Sequence, residues 1–190
     1  MELDDLELCY LFIRTSGNIT KEKEKAFEAV KKNAKFSDYE LEKFDTVCKF
    51  FCKTEKDALR SLRSMLPKSK KKKNNWLDDL FDHTYEAEVR RNPARARNLL
   101  NILIHISCET KERSQYDIDF INDFAERMKI DESYIHEFED ICETEYILNA
   151  MRDGIKNVGY SESETDRIIE QNNADLKTLE TDVSDLIALG

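Results

Sequence analysis

Apolar side chains recur every three or four positions along the first third of the chain, which is the spacing of an amphipathic helix. Leu3, Leu6, Tyr10 and Ile13 begin the pattern, and it stops near Ser16. The same period, with a Ser or Thr in capping position before each run, predicts three further helices over residues 20–34, 37–51 and 54–66. The last of these ends before a proline, which cannot donate the helical hydrogen bond.

The rest of the chain has the same helical period. Predicted helices start at Trp76, at Asn92-Pro93, at Gln115, at Glu132 and at Thr144. The helix from Glu132 is expected to end near Cys142, and a break is expected at Gly154 and Gly159. Ser161 with Glu164 has the spacing of a capping box before a final acidic helix. Between residues 68 and 75 there is no apolar side chain, so we predict an exposed connection there.

Two stretches of the chain share this pattern at an offset of 94 residues. The predicted caps coincide, because Thr20 aligns with Ser114 and Ser37 aligns with Asp131. The aligned apolar pairs are Phe12 with Ile106, Phe27 with Ile121, Val30 with Phe124, Leu41 with Ile135, Phe44 with Phe138 and Cys48 with Cys142. A fixed period of this kind indicates a duplicated supersecondary unit. We therefore predict an all-α, compact helical bundle of about eight or nine helices built from two pseudo-symmetric repeats.

We expect residues 1–190 to form a single all-α domain, since that length suits one hydrophobic core. Its parts are repeat one at about 6–52, a basic connecting region at 53–97, repeat two at about 99–145 and an acidic C-terminal helical appendage at 146–190. The predicted core residues are Phe12, Phe27, Phe44, Leu103, Ile121, Phe124 and Phe138.

The loop Ser16-Gly17-Asn18-Ile19-Thr20 between two helices, followed by a short turn and a third helix, resembles the repeating unit of the TerB-like (tellurite-resistance B) helical family. Residues 110–142 resemble the same unit. The resemblance covers about half of the chain and implies a compact all-α bundle with pseudo-twofold symmetry. It implies little about chemistry, because the family consists mostly of adaptor or stress-linked modules.

The chain departs from this family at the positions that the resemblance would connect with divalent metal. The family usually has an acidic residue before the loop glycine and a Glu several residues later. Those positions hold Ser16 and Lys23 in the first copy, and Thr110 and Asp117 in the second. A divalent cation needs several converging oxygen ligands, and three of the four carboxylates are absent. We therefore predict no metal site and no cofactor.

Composition supports the helical interpretation and a cytoplasmic location. Charged residues make up 37% of the chain, with only four Gly and two Pro, which favours helices over strands. The five cysteines are an odd number without paired spacing, and the N-terminus is acidic, so we expect a non-secreted protein with free thiols. No apolar stretch approaches the roughly 20 residues that span a bilayer.

The titratable residues do not form a recognisable catalytic motif. His83, His105 and His136 come from separate segments, and we expect each to be a surface or half-buried side chain. Cys48 and Cys142 have the phase of core residues and are interpreted as small apolar side chains. The sequence has no phosphate-binding loop, nucleophile elbow or zinc-protease motif, so we predict that the protein is not an enzyme.

Charge is unevenly distributed and suggests how the protein acts. Residues 53–97 carry 13 Lys/Arg against 7 Asp/Glu, whereas residues 98–190 carry 8 against 22. We predict a non-enzymatic protein–protein interaction module, an adaptor or inhibitor, that docks through charged helix faces. The candidate partner-binding residues are Asp117, Asp119, Asp123, Glu137, Glu139, Asp140 and Glu143.

Two alternatives stay open. The first is nucleic-acid binding through the basic segment 68–97, because each Lys or Arg that neutralises a phosphate releases counterions. The residues for that alternative are Lys70, Lys71, Lys72, Lys73, Arg90, Arg91, Arg95 and Arg97. The further alternative is a divalent-metal-responsive stress protein, for which a ligand-dependent change in stability would be the sign.

Overall fold

The computed structural model describes residues 1–16, 19–51, 54–66, 85–109, 113–155 and 160–189. The described part of the chain contains nine α-helices and no strand, which confirms the all-α prediction. The helices are α1 (Leu3–Thr15), α2 (Lys21–Asn33), α3 (Asp38–Phe51), α4 (Glu55–Met65), α5 (Tyr85–Arg90), α6 (Pro93–Cys108), α7 (Gln115–Met128), α8 (Glu132–Ile155) and α9 (Glu162–Ala188). None of these helices is long and apolar enough to cross a membrane.

Helix starts lie where the capping residues predict them. The Thr20 side chain accepts a hydrogen bond from the backbone N–H of Lys23 at 3.2 Å, and Ser114 accepts one from Asp117 at the same distance. Ser161 forms the predicted capping box with Glu164. Each of these contacts satisfies a backbone N–H that has no partner within its own helix.

The chain between Glu132 and Ile155 differs from the prediction. The sequence predicts a break between Cys142 and Thr144, but the structure has one helix of 24 residues. No proline or glycine interrupts the hydrogen-bond ladder before Gly154, and Gly154 lies in the last turn. The predicted helix at 76–81 and the predicted connection at 68–75 lie outside the described residues.

The core forms around α6. All seven predicted core residues are buried, with exposed fractions of at most 5%. Helix α6 itself buries apolar side chains on most of its sides, and it contacts α1, α2, α5, α7, α8 and α9. Its fully buried residues are Leu99, Leu100, Leu103, Ile104 and Ile106. A helix that is apolar all round is expected at the centre of a bundle.

The C-terminal helix α9 packs against α8 and α6. Val183, Leu186 and Ile187 contact the core, and Asn172 is 4% exposed. The Arg97 guanidinium donates two hydrogen bonds to the carbonyl oxygen of Ile187, from Nε at 3.0 Å and from Nη2 at 2.8 Å. The segment predicted as an acidic appendage is thus joined to the central helix by both apolar packing and charge-assisted hydrogen bonds.

Candidate functional site

A groove of about 1070 Å³ lies where the start of α2, the end of α6 and the middle of α8 meet. We call it the acidic groove, because five carboxylates line it. They are Glu22, Glu109, Glu139, Asp140 and Glu143. The groove is also lined by Arg113, Cys108, Cys142 and Tyr146. Concave surfaces where polar groups from several elements converge are places where proteins bind ligands.

Helix geometry brings the carboxylates together. Glu139 and Glu143 are four residues apart on α8, so they lie on one face, with Asp140 beside them. Glu22 is in the first turn of α2, and Glu109 caps the end of α6. Three of the seven predicted partner-binding residues, Glu139, Asp140 and Glu143, are therefore next to one another.

Arg113 is the basic side chain of the groove. Its Nη1 donates to the Glu139 carboxylate, and the two side chains are 20% and 29% exposed. Its Nε is buried and has no acceptor among the described residues. The guanidinium therefore neutralises one of the five carboxylates. Within the described part of the chain, its Nε–H remains an unused hydrogen-bond donor that is shielded from solvent.

An exposed apolar surface continues from the groove along α8. Tyr146 is 63% exposed, Ile147 is 49% exposed and Met151 is 50% exposed. Residues 139, 143 and 146 follow one helical row, and residues 140, 147 and 151 follow the neighbouring row. We call Tyr146, Ile147 and Met151 the apolar margin. Clustered exposed apolar side chains beside charged ones are typical of interaction surfaces.

Two cysteines meet at the floor of the groove. Cys108, the last residue of α6, is half-buried, and Cys142 of α8 is 5% exposed. A hydrogen bond from the Cys142 thiol, together with the charge of Arg113, lowers the pKa of Cys108 from 9.0 to about 7. The same hydrogen bond and burial raise the pKa of Cys142. The sequence predicted Cys142 as a core residue, which it is, but no sequence spacing indicated that Cys108 would contact it.

Asp117 was predicted to contribute to a partner-binding surface, and the structure contradicts this. Its side chain is fully buried, and Oδ2 lies 2.6 Å from Nζ of Lys23, which is 2% exposed. The Asp117 carboxylate also accepts the Ser114 backbone N–H at 3.3 Å. A buried carboxylate with an internal cation cannot contact a partner. The sequence pattern did not predict the burial of Asp117, because a polar residue on the inner face of a helix occupies the same helical positions as the apolar residues there.

The other three predicted acidic residues lie outside the acidic groove. Asp119 and Glu137 are exposed, and Asp119 accepts a hydrogen bond from Gln115 at 2.9 Å. Asp123 accepts one from Nε of Arg127 at 2.8 Å, within one helix turn. Such surface contacts contribute little to stability. These residues therefore add to the negative charge of α7 and α8 without forming a site.

The basic residues of the nucleic-acid alternative separate into three groups. Lys70, Lys71, Lys72 and Lys73 lie outside the described residues. Arg90 and Arg91 are exposed. Arg95 and Arg97 do not present a free phosphate-binding surface, contrary to that alternative.

The reason is that both arginines form internal contacts. Arg95 pairs with the buried Asp5 at 2.7 Å and with Glu2 at 2.8 Å. Arg97 is 7% exposed and donates to Ile187. Neutralising a phosphate with either side chain would require breaking these contacts first.

The histidines are dispersed. His105 lies 3.8 Å from Glu145 and lines a smaller cavity of about 460 Å³ between α8 and α9. His136 lies 3.7 Å from Glu139 and is largely exposed, and His83 lies outside the described residues. Within the described ranges, no three His, Cys, Asp or Glu side chains converge as metal ligands.

Comparison with known proteins finds no match, whether with family models, with characterised proteins or with solved structures. The resemblance to the TerB-like family therefore stays a prediction. The acidic groove and its apolar margin are the features of the structure from which a function can be inferred.

Proposed function

We propose that the protein is a non-enzymatic interaction module, an adaptor or inhibitor, that binds a basic segment of another protein in the acidic groove. The observation that supports this most is the gathering of Glu139, Asp140 and Glu143 beside the exposed Tyr146. In this proposal the carboxylates select a Lys- or Arg-rich segment, and the apolar margin anchors its apolar side chains. A basic amphipathic helix has both properties.

The charge of the groove is largely unneutralised. Arg113 pairs with Glu139, while Asp140 and Glu143 form no ion pair within the described part of the chain. Like charges placed close together repel, and a cationic partner relieves that repulsion. Long-range attraction raises the association rate, and burial of an aromatic anchor lowers the dissociation rate. Tyr146 is the aromatic residue of this surface.

We further propose that the fold arose by duplication of a three-helix unit, as the resemblance to the TerB-like family implies. Several structural features support an offset of 94. Helices α2 and α7 begin at Lys21 and Gln115. Among the described residues, the two non-glycine positions with positive φ are Lys35 and Lys129, at 54° and 57°. Both left-handed residues follow the end of the corresponding helix, where this conformation terminates helical hydrogen bonding.

The experiment that tests the binding proposal is site-specific photo-crosslinking. A photoreactive amino acid replaces Tyr146 in the full chain, and irradiation follows in nuclease-treated extract of the cells that produce the protein. The matched control carries the same amino acid at Tyr39, which is 75% exposed on α3. We expect an adduct at position 146, absent at position 39, whose crosslinked peptide is rich in Lys or Arg.

Charge reversal then tests the acidic groove itself. The D140K/E143K variant, combined with the photoreactive residue at position 146, should lose the adduct, because the cationic segment is now repelled. Raising the salt concentration should weaken the wild-type adduct in the same way. An adduct that is equally strong at both positions, or that persists after charge reversal, contradicts the proposal. An adduct that forms in untreated extract but not in nuclease-treated extract contradicts the proposal and favours the nucleic-acid alternative.

A further inference from the structure

We propose that Cys108 and Cys142 form a redox-active dithiol, which hydrogen peroxide oxidises to a disulfide linking α6 to α8. The site goes beyond the proposed binding function and does not depend on it. It is a modification site at the floor of the acidic groove, and its substrate is a hydroperoxide.

The first support is placement. Both thiols line the same open groove, so a small oxidant can reach them. Cys108 is half-buried at the end of α6, whereas Cys142 is 5% exposed beneath it on α8. The two side chains are within hydrogen-bonding reach of each other, and this contact is the largest influence on the pKa of both thiols. An accessible thiol in contact with a second, shielded thiol is the usual arrangement of an attacking and a resolving cysteine.

The second support is the charge around Cys108. The thiolate, and not the thiol, is the nucleophile. The contact with Cys142 favours the Cys108 anion most, and Arg113 and Ser107 add to it, while burial and the Glu139 charge oppose it. These groups hold the pKa of Cys108 at about 7. The buried Arg113 Nε, which has no acceptor among the described residues, supplies an unused donor in the same region.

The other described cysteines lie outside the acidic groove. Cys9 is fully buried, and desolvation together with Asp5 raises its pKa. Cys48 is 3% exposed and does not line the acidic groove. Reaction with a small oxidant requires both access and thiolate character. Cys48 therefore provides a matched control, while Cys52 lies outside the described residues and is best replaced by serine throughout.

The chemistry proceeds in two balanced steps. The Cys108 thiolate attacks one peroxide oxygen, an S–O bond forms as the O–O bond breaks, and the departing hydroxide is protonated to water. The Cys142 sulfur then attacks the sulfenic sulfur of Cys108. An S–S bond forms as the S–O bond breaks, and the leaving hydroxide takes up the Cys142 proton. Overall the two thiols lose two electrons and two protons, and one hydrogen peroxide is reduced to two waters.

The test is peroxide titration of the full-length C52S protein, followed by peptide mapping without reductant. We expect one linked pair of peptides, containing Cys108 and Cys142, that dithiothreitol restores to free thiols. The C48S control should behave in the same way. In C142S the reaction should stop at a sulfenic acid on Cys108, which dimedone traps, and in C108S neither product should form.

The peptide map of the unsubstituted pair decides the proposal even if a variant fails to fold. The proposal is wrong if peroxide leaves Cys108 as a free thiol, or oxidises it to sulfinic acid without forming the link to Cys142. A disulfide between any other two cysteines, or one that forms only after urea unfolding, also overturns it. Circular dichroism of each reduced variant shows whether the helical fold has been kept.

Discussion

Residues 6–52 and 99–145, which align at an offset of 94 residues, share an apolar pattern but differ in their charged residues. We call them the first and the second half. Position 45 of α3 holds an aspartate that pairs with Lys31 at 2.7 Å, and four residues later comes Lys49. The positions 94 residues further on hold Glu139 and Glu143, which line the acidic groove. An apolar pattern that both halves share builds the helices, whereas the charged residues at a few matching positions differ between them. The α8 carboxylates of the groove therefore belong to the second half, and the first half contributes Glu22.

The two halves also differ in the positions of their cysteines. Cys48 and Cys142 occupy matching positions, but the residue that matches Cys108 is Arg14. A second thiol is therefore available at that place only in the second half. In the proposed dithiol, the partner of Cys142 is thus a residue that the first half replaces by Arg14.

The halves meet at a pair that also occupies matching positions, Lys23 and Asp117. Nζ of Lys23 lies 2.6 Å from the Asp117 carboxylate and 5.8 Å from the centre of the Phe12 ring. Two copies of either residue would place like charges together in the interior. The opposite charges permit the contact, because each buried ion neutralises the other.

The largest effect is expected from breaking this pair. Asp117→Ala leaves the Lys23 ammonium buried without a counter-ion, which should cost about 3–5 kcal/mol of unfolding free energy. The K23M/D117L variant removes both charges and should recover most of that loss. Urea denaturation of the two variants and the wild type measures this. Equal losses in the single and double variants would show that packing, and not the uncompensated charge, is responsible.

A smaller effect is expected on the pH dependence with which the Cys108 thiol is alkylated. Its alkylation by iodoacetamide should rise with pH and reach half of its maximum near pH 7, because the pKa of this thiol is lowered to about 7 and the reactive thiolate exists above it. In the R113Q variant the midpoint should move upward, since the favourable charge is gone. Mass spectrometry of the Cys108 peptide follows the rate. A midpoint near pH 9 in the wild type contradicts the electrostatic argument.

Charge reversal should separate the two halves functionally. The D140K/E143K variant should weaken binding of a lysine-rich amphipathic peptide by about tenfold, which corresponds to about 1.4 kcal/mol. The first-half control D38K/E42K makes the same change in net charge on exposed residues of α3. It should leave the affinity unchanged, because neither residue lines the groove. Fluorescence anisotropy with a labelled peptide gives both values. Similar losses in the two variants would indicate attraction by net charge alone.

The smallest effect is expected from removing the helix caps at two matching positions, one in each half. Thr20→Ala and Ser114→Ala each remove a side-chain acceptor from the first turn of a helix, so each should cost about 1 kcal/mol. Thermal unfolding of the two variants provides the comparison. A loss at only one of the two caps would mean that the corresponding turns are not energetically equivalent.

Much of the fold could be predicted from the sequence because its causes are local. The capping role of Ser114 follows from a hydroxyl placed before an apolar run. The burial of Phe138 follows from its helical phase, and the structure confirms both. The continuity of α8 past Cys142 was missed, since helix ends without Gly or Pro have weak local signals.

The formation of helices, the start of most of them and the faces that turn inward follow from the amino-acid order, because these depend on neighbours within a few residues. The burial of Asp117 against Lys23 and the contact of Cys108 with Cys142 depend on how the helices pack. The same packing decides that Glu22 and Glu109 join the carboxylates of α8. Those contacts join residues far apart in the chain, and their energies depend on burial and distance, which no local spacing contains.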